Sequence, residues 1–386
     1  MAAKIILLLL SISVFYTIFH FAEINGAHRL ALDAIAAKRL PGTDEPLRTV
    51  YTGLEGVDRL LTVLTTFFWP TTDGTHPGLT LHSIGFSGTF GSAWVLVTLE
   101  SWRRGNQWTF AAFPTIFGLI AQVLTFAFAT PLYCLVQLMT SATARKPTVE
   151  TIRAPRAVLN ALPFVFIVGY MVPSTLMILP LSETITTDLK QIFIAIWQPW
   201  PAYVAVLSTL VHFVFTPFIA DDRSTDGGRA TLRAFRRVYA FAFANTAITH
   251  LISWIVTLAT VVAPAIIDEN LRESLHPLKV YDIPLPWGSP LLQVETLGQG
   301  VHAFLQWDYL IGSAGVLVWA ISMYKAAHLA VYSRVGWFGL VVKTVLLGVF
   351  TGPVGAAVEL MWERDELVFS EMGGVKREVS KQKKSS

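Results

Sequence analysis

Apolar runs of membrane-spanning length recur along the whole chain, and they limit what it can fold into. A transmembrane helix needs about 20 consecutive, mostly apolar residues. A shorter run, Leu54–Trp69, carries charged residues near its start and is either interfacial or spanning. Eight runs are predicted to span: Ile5–Ala22, Ser83–Leu99, Phe110–Met139, Ala157–Leu179, Ala195–Ile219, Phe235–Ala263, Val301–Tyr324 and Val335–Met361. We therefore predict an all-α fold, a polytopic transmembrane helical bundle of 8–9 spans.

Composition supports lipid as the solvent of this chain. Hydrophobic residues make up 53% of the 386 residues and charged residues 14%, where soluble proteins carry about 25% charged residues. The net charge is +3, and six of the 29 Lys and Arg residues lie beyond Glu363, which argues against a nucleic-acid partner. The lone cysteine, Cys134, excludes an intrachain disulfide and a metal site built from cysteines.

The chain divides into one long apolar part and a short polar end. Residues 1–362 are predicted to form a single transmembrane helical domain, and residues 363–386 a charged cytosolic or disordered tail. The first run has no clean cleavage site after it, so we interpret it as a retained helix rather than a signal peptide. The largest internal loop, Ile266–Gly300, contains four prolines, which favour an ordered, extended cap over another helix.

Two signals disagree about topology. The chain ends in KQKKSS, whose Lys383 and Lys384 have the spacing of a dilysine retrieval signal on a cytosolic tail, which favours the endoplasmic reticulum membrane. Two interior loops also carry clustered basic residues, and the positive-inside rule places both in the cytosol. These residues are Arg145, Lys146, Arg153 and Arg156 in one loop, and Arg223, Arg229, Arg233, Arg236 and Arg237 in the other. Three predicted spans separate the second loop from the tail, so both signals cannot hold with this number of spans.

Three acidic residues within or beside the apolar runs are candidate functional groups, because burying a carboxylate in a membrane costs at least a few kcal/mol. Glu100 ends one run and is followed by Arg103 and Arg104, so an ion pair at helical spacing is its structural alternative. Asp308 lies one to two turns inside its run with no basic residue within a turn. Glu359 lies near a helix end, where interfacial residues are common.

Aromatic and histidine residues accompany these acids. Trp307 and Tyr309 flank Asp308, and Trp254 lies in another run. A π face stabilises a nearby cation by up to about 2 kcal/mol when desolvated. A neutral carboxylic acid with aromatic walls therefore suits carbocation chemistry, in which the acid protonates an alkene or epoxide. His212, His250 and His302 are the buried histidines that we place in the same substrate pocket, although each alone is typical of a packed core.

Metal-dependent prenyl chemistry needs clustered carboxylates, because magnesium ionises the diphosphate. The chain offers DDRSTD, Asp221 to Asp226, which is one residue longer than the DDxxD of metal-dependent synthases and has no second acidic partner motif. A solvated loop is the better interpretation. The sequence contains no HExxH or HxxxH pair. We therefore predict no metal and no cofactor.

Two stretches, FFWPTTDGTHPGLTLHSIGFSGTFGSAWVLVTLESWRRGN and FLQWDYLIGSAGVLVWA, resemble fungal membrane-integral terpene cyclases of meroterpenoid biosynthesis, most closely the larger, ascofuranone-type group. The resemblance implies a helical bundle that cyclises farnesyl or epoxyfarnesyl chains attached to an aromatic polyketide. It implies Asp308 as the late acid of the family and Glu100 as the early one. Asp73 in WPTTDG is an alternative early acid, although Asp-Gly followed by Pro77 is also strong turn chemistry.

The leading hypothesis is thus a metal-independent terpene cyclase in the lipid bilayer, acting on a hydrophobic small molecule, a prenylated aromatic epoxide. Asp308, Glu100 or Asp73 would supply the proton. A membrane prenyltransferase or a sterol-isomerase-like enzyme is the first alternative. A proton-coupled transporter is the second, since buried acids and histidines can form a proton relay, but the chain shows no internal repeat.

Overall fold

The fold is built from helices and their connections. The computed structural model describes residues 1–219 and 228–372, and it contains no β-strand in these ranges. The helices of ten or more residues are α1 (Ala2–Ile24), α2 (Ala27–Ala37), α3 (Glu55–Thr72), α4 (Pro77–Ser101), α5 (Pro114–Val123), α6 (Phe126–Thr140), α7 (Arg156–Ile178), α8 (Thr187–Trp197), α9 (Trp200–Phe218), α10 (Arg229–Val262), α11 (Leu297–Tyr332) and α12 (Trp337–Leu367). The all-α prediction is confirmed for the described residues.

Six of the described helices are long and apolar enough to cross a membrane, namely α1, α7, α9, α10, α11 and α12. The predicted number of 8–9 spans is not confirmed. The run Phe110–Met139 divides at Leu124 and Thr125 into α5 and α6, which have 10 and 15 residues and are short for a 30 Å hydrocarbon core. The run Ala195–Ile219 crosses the break between α8 and α9.

Helix α4 contains the predicted span Ser83–Leu99 and lies inside the bundle. Most of its C-terminal half is buried, and it packs against α10, α11 and α12. A helix surrounded by protein needs little apolar surface for lipid, so it carries small and polar residues instead. Gly88 shows how closely it approaches α10, because a Cβ atom there would lie 1.8 Å from Thr249 Oγ1.

The last long element, α12, consists of two helices that meet at Gly352, whose φ of +77° and ψ of 164° are not helical and which precedes Pro353. Lys343 and Glu363, 20 residues apart on either side of this break, form an ion pair, so the two halves fold back against each other. The second half then passes the boundary that we predicted between residues 362 and 363, and a π-helical turn follows it to Met372. Arg364 and Asp365 are fully buried in this part of the helix. The bundle therefore extends beyond residue 362, because these two charges are neutralised inside the protein. Residues 373–386 and the motif Asp221 to Asp226 lie outside the described residues.

The predicted loop Ile266–Gly300 contains two short helical turns, Glu269–Arg272 and Pro277–Tyr281, and is otherwise irregular up to Thr296, since α11 begins at Leu297. Side chains of α11 bind its carbonyl groups. Trp307 Nε1 donates to the carbonyl of Pro284 at 2.9 Å, and Gln306 Nε2 donates to that of Asp282 at 3.0 Å. These hydrogen bonds hold the segment against the bundle.

Candidate active site

A cavity of about 410 Å³ lies within the bundle, and we call it the inner cavity. Its lining residues come from α3, α4, α5, α6, α7, α8, α10 and α11. Six aromatic residues line it: Phe68, Phe86, Phe90, Phe126, Tyr170 and Trp197. Asp308 is the one acidic or basic residue among the described residues that line it. The volume falls within the range of small-molecule sites.

Asp308 reaches this cavity from α11 and also contacts the start of α6. Its side chain is 5% exposed, and its Oδ1 accepts a hydrogen bond from the backbone N–H of Ala127 at 2.6 Å. Thr125 caps the same helix, since its Oγ1 accepts from the N–H of Phe128 at 3.0 Å. Helix N-termini leave N–H groups without intrahelical partners. Asp308 therefore has a fixed orientation that joins α11 to α6.

The close approach of α11 and α6 depends on a glycine one turn after Asp308. A Cβ atom at Gly312 would lie 2.2 Å from Phe126 Cδ1, so a larger residue there would push the ring away. The ring centroid of Phe126 lies 5.7 Å from that of Phe86 and 5.1 Å from that of Phe90. Aromatic rings at such distances present both faces and edges to the cavity. The inner cavity thus combines one carboxyl group with π surfaces.

Four of the six predicted pocket residues lie in a second aromatic cluster rather than on the inner cavity. His302 and Tyr309 contact His82, with centroid separations of 5.4 and 5.8 Å. His250 lies 6.2 Å from Trp254 by ring centroids. Leu305 and Asp308 share one face of α11 because they are three residues apart, whereas His302 and Tyr309, seven apart, share a neighbouring face. The structure brings these four residues together beside the cavity.

Tyr281, from the loop before α11, connects the two halves of this cluster. Its ring stacks on Trp254 at 4.3 Å and lies 6.5 Å from His82. Burial raises the pKa of the Tyr281 phenol, whose oxygen lies 2.6 Å from Ser253 Oγ. The phenol therefore stays protonated near neutral pH and can donate a hydrogen bond. His82 and Tyr281 were not included in the predicted pocket. His82 begins an apolar run on α4, and Tyr281 belongs to a loop whose folding back onto the bundle leaves no signal in hydropathy.

The remaining two predicted pocket residues lie elsewhere. Trp307 packs in an apolar cluster with Val14 and Ile18 of α1, while its indole N–H binds the loop before α11. His212 of α9 lies 5.1 Å from Trp102 by ring centroids and lines a different cavity. The structure does not bring either residue to the inner cavity.

Glu100 lies in a buried network of charges. Its Oε2 lies 2.6 Å from Arg103 Nε and 3.1 Å from Arg364 Nη2. Asp365 Oδ2 lies 2.6 Å from Arg103 Nη2 and accepts from the phenol of Tyr239 at 2.8 Å. The four charged side chains have no exposed surface, and two positive charges balance two negative ones. The pairing of Glu100 with Arg103 was the structural alternative considered from the sequence.

Arg364 and Asp365 were not identified from the sequence, although both belong to this network. They lie 264 and 262 residues from Glu100 and Arg103, respectively, in the chain. The run of alternating charges in WERDEL, directly after an apolar run, was the available signal. Such a run is typical of a solvated helix end. Only the contact between α4 and α12 shows that Arg364 and Asp365 belong to a buried network instead.

Asp73 and Glu359 do not line either cavity in the described structure. Asp73 Oδ1 accepts from the backbone N–H of Thr75 at 2.9 Å and from its hydroxyl at 2.8 Å, next to Gly74 with φ +83°. This is the turn that was the alternative interpretation of Asp73. Glu359 is half-buried on α12.

Comparison with known proteins identifies the family of this chain. The CtvD domain family matches residues 3–369. The chain is 32% identical over 364 residues to terpene cyclase ctvD of Aspergillus terreus, covering 93% of this chain and 98% of that protein. It is 32% identical over 355 residues to terpene cyclase ascI of Acremonium egyptiacum (90% and 88% covered) and 28% identical over 358 residues to terpene cyclase penA of Penicillium crustosum (92% and 94%). No solved structure matches the chain.

Proposed function

Because the chain belongs to the CtvD domain family, whose matching relatives are terpene cyclases, we propose that it is a membrane-bound cyclase that closes the prenyl chain of an aromatic compound by acid-initiated, metal-independent chemistry. The substrate is a hydrophobic small molecule, a farnesyl-type aromatic epoxide. The observation that carries this proposal is the placement of Asp308 as the one carboxylic acid on an aromatic-lined inner cavity within the described structure.

The chemistry follows from the surroundings of Asp308. Its Oδ1 is occupied by the N–H of Ala127, so in this proposal Oδ2 carries the proton. That proton moves to the epoxide oxygen, the C–O bond breaks, and the electron pair of a neighbouring alkene, or of an internal hydroxyl, forms the new ring bond. A base then removes one proton from the final cation. Atoms and electrons balance as an isomerisation, and no oxidant or reductant is consumed.

The rings of the cavity would stabilise the cation between these steps. Phe86, Phe90 and Phe126 lie within 6 Å of one another by centroid along this wall, and their faces carry partial negative charge. The cavity would also fold the chain so that reacting carbons meet, which supplies much of the rate enhancement in an intramolecular reaction. General acid catalysis contributes a further 10²–10⁴-fold, roughly.

We assign Glu100 and Asp73 structural roles in this proposal. Glu100 already accepts contacts from two guanidinium groups inside a neutral network, so it has no free proton to transfer. Asp73 is used by its own turn. Both assignments leave Asp308 as the acid.

The testing experiment measures conversion of a farnesylated phenol epoxide by microsomes that contain the protein, with the cyclised isomer separated by chromatography at unchanged mass. Asp308→Asn keeps the acceptor for the N–H of Ala127 but has no acidic proton. We expect it to fold and to lose turnover by at least about 10²-fold. Asp73→Asn is the matched control and should retain turnover. Full activity of Asp308→Asn would overturn the assignment of the acid.

We also propose that α4 and the pair α5–α6 lie within the bilayer beside α1, α7, α9, α10 and α11, and that the two halves of α12 enter and leave it on the same side. The cyclase would reside in the endoplasmic reticulum with the KQKKSS tail in the cytosol. Glycosylation acceptor sites inserted into successive loops test both statements. Glycosylation of a site placed at the C-terminus would overturn the cytosolic tail.

A further inference from the structure

A second cavity, of about 630 Å³, lies on the other side of an aromatic layer, and we call it the outer cavity. It is lined by the C-terminal part of α4, the segment that leads into α5, and one face of α9. Lysine, arginine, aspartate and glutamate are absent from the described residues that line it. A phosphate or carboxylate group would find no lysine or arginine here, so the outer cavity suits a neutral ligand.

The layer between the two cavities is one or two side chains thick. Phe90 and Tyr170 line the inner cavity, whereas Trp94 and Trp200 line the outer one. The ring of Trp200 lies 5.5 Å from Phe90 and 4.9 Å from Tyr170 by centroids, and 5.9 Å from Trp94. Phe90 and Trp94 are neighbours on α4, 6.3 Å apart. The same rings therefore border both spaces.

The polar side chains of the inner cavity are mostly engaged. Ser83, Ser87, Ser174 and Thr175 each donate their hydroxyl to a carbonyl of their own helix, at 2.8, 2.8, 2.8 and 2.9 Å. Such hydroxyls have already donated their one proton and have none left for a ligand. The wall is consequently apolar apart from a few groups, of which Asp308 is the acidic one.

Three residues that line the outer cavity carry a buried donor without a partner in the described structure, whereas the inner cavity has one such polar atom, the acceptor Gln122 Oε1. These donors are Trp94 Nε1, Trp200 Nε1 and Ser208 Oγ. A buried donor without a partner costs about 1–3 kcal/mol, and each case calls for an explanation. Oxygen acceptors on a bound molecule would satisfy such donors.

The rim of the outer cavity is apolar and exposed. Trp108, which has φ of +63°, is 97% exposed, and Phe113 and Ile116 are more than half exposed. On α9, which is long and apolar enough to cross a membrane, Leu210 and Phe213 also face outward. A molecule dissolved in the bilayer can therefore reach the outer cavity along lipid-facing surfaces.

Resting on the proposed function, the geometry points to a divided substrate site. We propose that the outer cavity binds the neutral, oxygen-bearing aromatic head of the substrate, and that the isoprenoid chain passes the layer of Phe90, Trp94 and Trp200 into the inner cavity. Helix α4 would run alongside the whole substrate. Ser87 lines the inner cavity and Thr98 lines the outer one, and they lie about 16 Å apart along the helix at 1.5 Å per residue. The reactive end would then lie with Asp308.

Photo-crosslinking of the full chain in lipid nanodiscs tests the orientation without turnover. One probe is an epoxide-free farnesylated resorcinol with a diazirine on the ring, and the other carries the diazirine at the far end of the chain. We expect the ring probe to label residues 94–116 and 200–212, and the chain-end probe to label residues 68–90 and 170–178. Labelling of residues 68–90 by the ring probe would overturn the proposal.

The same experiment separates a substrate site from a lipid groove. Excess unlabelled farnesylated resorcinol should abolish labelling of the outer cavity. Persistent labelling there under competition, matched by a diazirine phospholipid, would show that the cavity holds acyl chains and would overturn the proposal. Crosslinking does not depend on catalytic turnover. If both probes label the expected residues but the protein turns over no substrate, the result contradicts the proposed function and leaves the binding orientation standing.

Kinetics give an independent readout. Ser208→Ala removes one donor without adding side-chain atoms, and we expect KM to rise about tenfold with kcat nearly unchanged, as for one hydrogen bond of about 1.4 kcal/mol. Val206→Leu, on the exposed side of α9, is the matched control. The rise should vanish for a substrate whose ring lacks oxygen substituents. An equal rise for both substrates would contradict binding of the head by Ser208.

Discussion

The buried charge network makes a sharp prediction about Glu100. Its two carboxylate oxygens are contacted on both sides: Oε2 forms an ion pair with Arg103 Nε and accepts from Arg364 Nη2, and Oε1 accepts from Gln137 Nε2 and the Thr143 hydroxyl. In Glu100→Gln the side-chain NH₂ group must face one of these pairs, whichever way the amide is turned. Two donor contacts are lost in either orientation, and the network keeps an uncompensated positive charge.

The magnitude follows from these contacts. Hydrogen bonds to charged groups contribute about 1.5–3 kcal/mol each, and removing one partner of a buried ion pair costs about 3–5 kcal/mol. We therefore expect Glu100→Gln to lower the free energy of unfolding by about 3–5 kcal/mol, with an apparent Tm lower by roughly 5 °C or more. The double variant Glu100→Gln with Arg364→Gln restores the neutrality of the buried network. Its loss of unfolding free energy should therefore be smaller than the sum of the losses in the two single variants, by at least about 1 kcal/mol.

The assay is thermal unfolding of purified protein in detergent, followed by intrinsic tryptophan fluorescence, together with turnover per folded molecule well below Tm. We expect stability to fall while turnover persists. An unchanged Tm with turnover reduced 10²-fold would refute the reasoning and return Glu100 to the role of acid. Strict additivity in the double variant would refute the coupling between Glu100 and Arg364.

Two further predictions concern packing and metal. Gly88→Ala places a Cβ atom against Thr249, so we expect the free energy of unfolding to fall by about 1–3 kcal/mol in the same assay. The control variant Gly348→Ala, with open space around it, should be neutral or stabilising. An unaltered Tm in Gly88→Ala would contradict the close contact between α4 and α10. Activity should persist in EDTA and in the variant Asp221→Asn with Asp226→Asn, because the proposed chemistry uses a proton; loss in EDTA with rescue by magnesium would favour the prenyltransferase alternative.

The class of the molecule could be predicted from the amino-acid sequence alone. Repeated apolar runs leave lipid or the protein interior as their environment, and the predicted runs around Ile5–Ala22, Phe235–Ala263 and Val301–Tyr324 lie inside α1, α10 and α11. The family resemblance was also readable, because it rests on linear motifs, and the comparisons confirm it. Hydropathy reports how apolar a segment is, which suffices for these features.

The surroundings of each polar side chain depend on how the helices pack. Asp308 and Glu100 are both acids in or at the end of apolar runs, and the arginines after Glu100 indicated only a local ion pair, yet one acid lies on an aromatic cavity and the other inside a neutral network of four charges. The partners that distinguish them, Ala127 for Asp308 and Arg364 for Glu100, are 181 and 264 residues away along the chain. The electrostatic character of a buried carboxyl group depends on neighbours within a few Å, and helix packing supplies those neighbours.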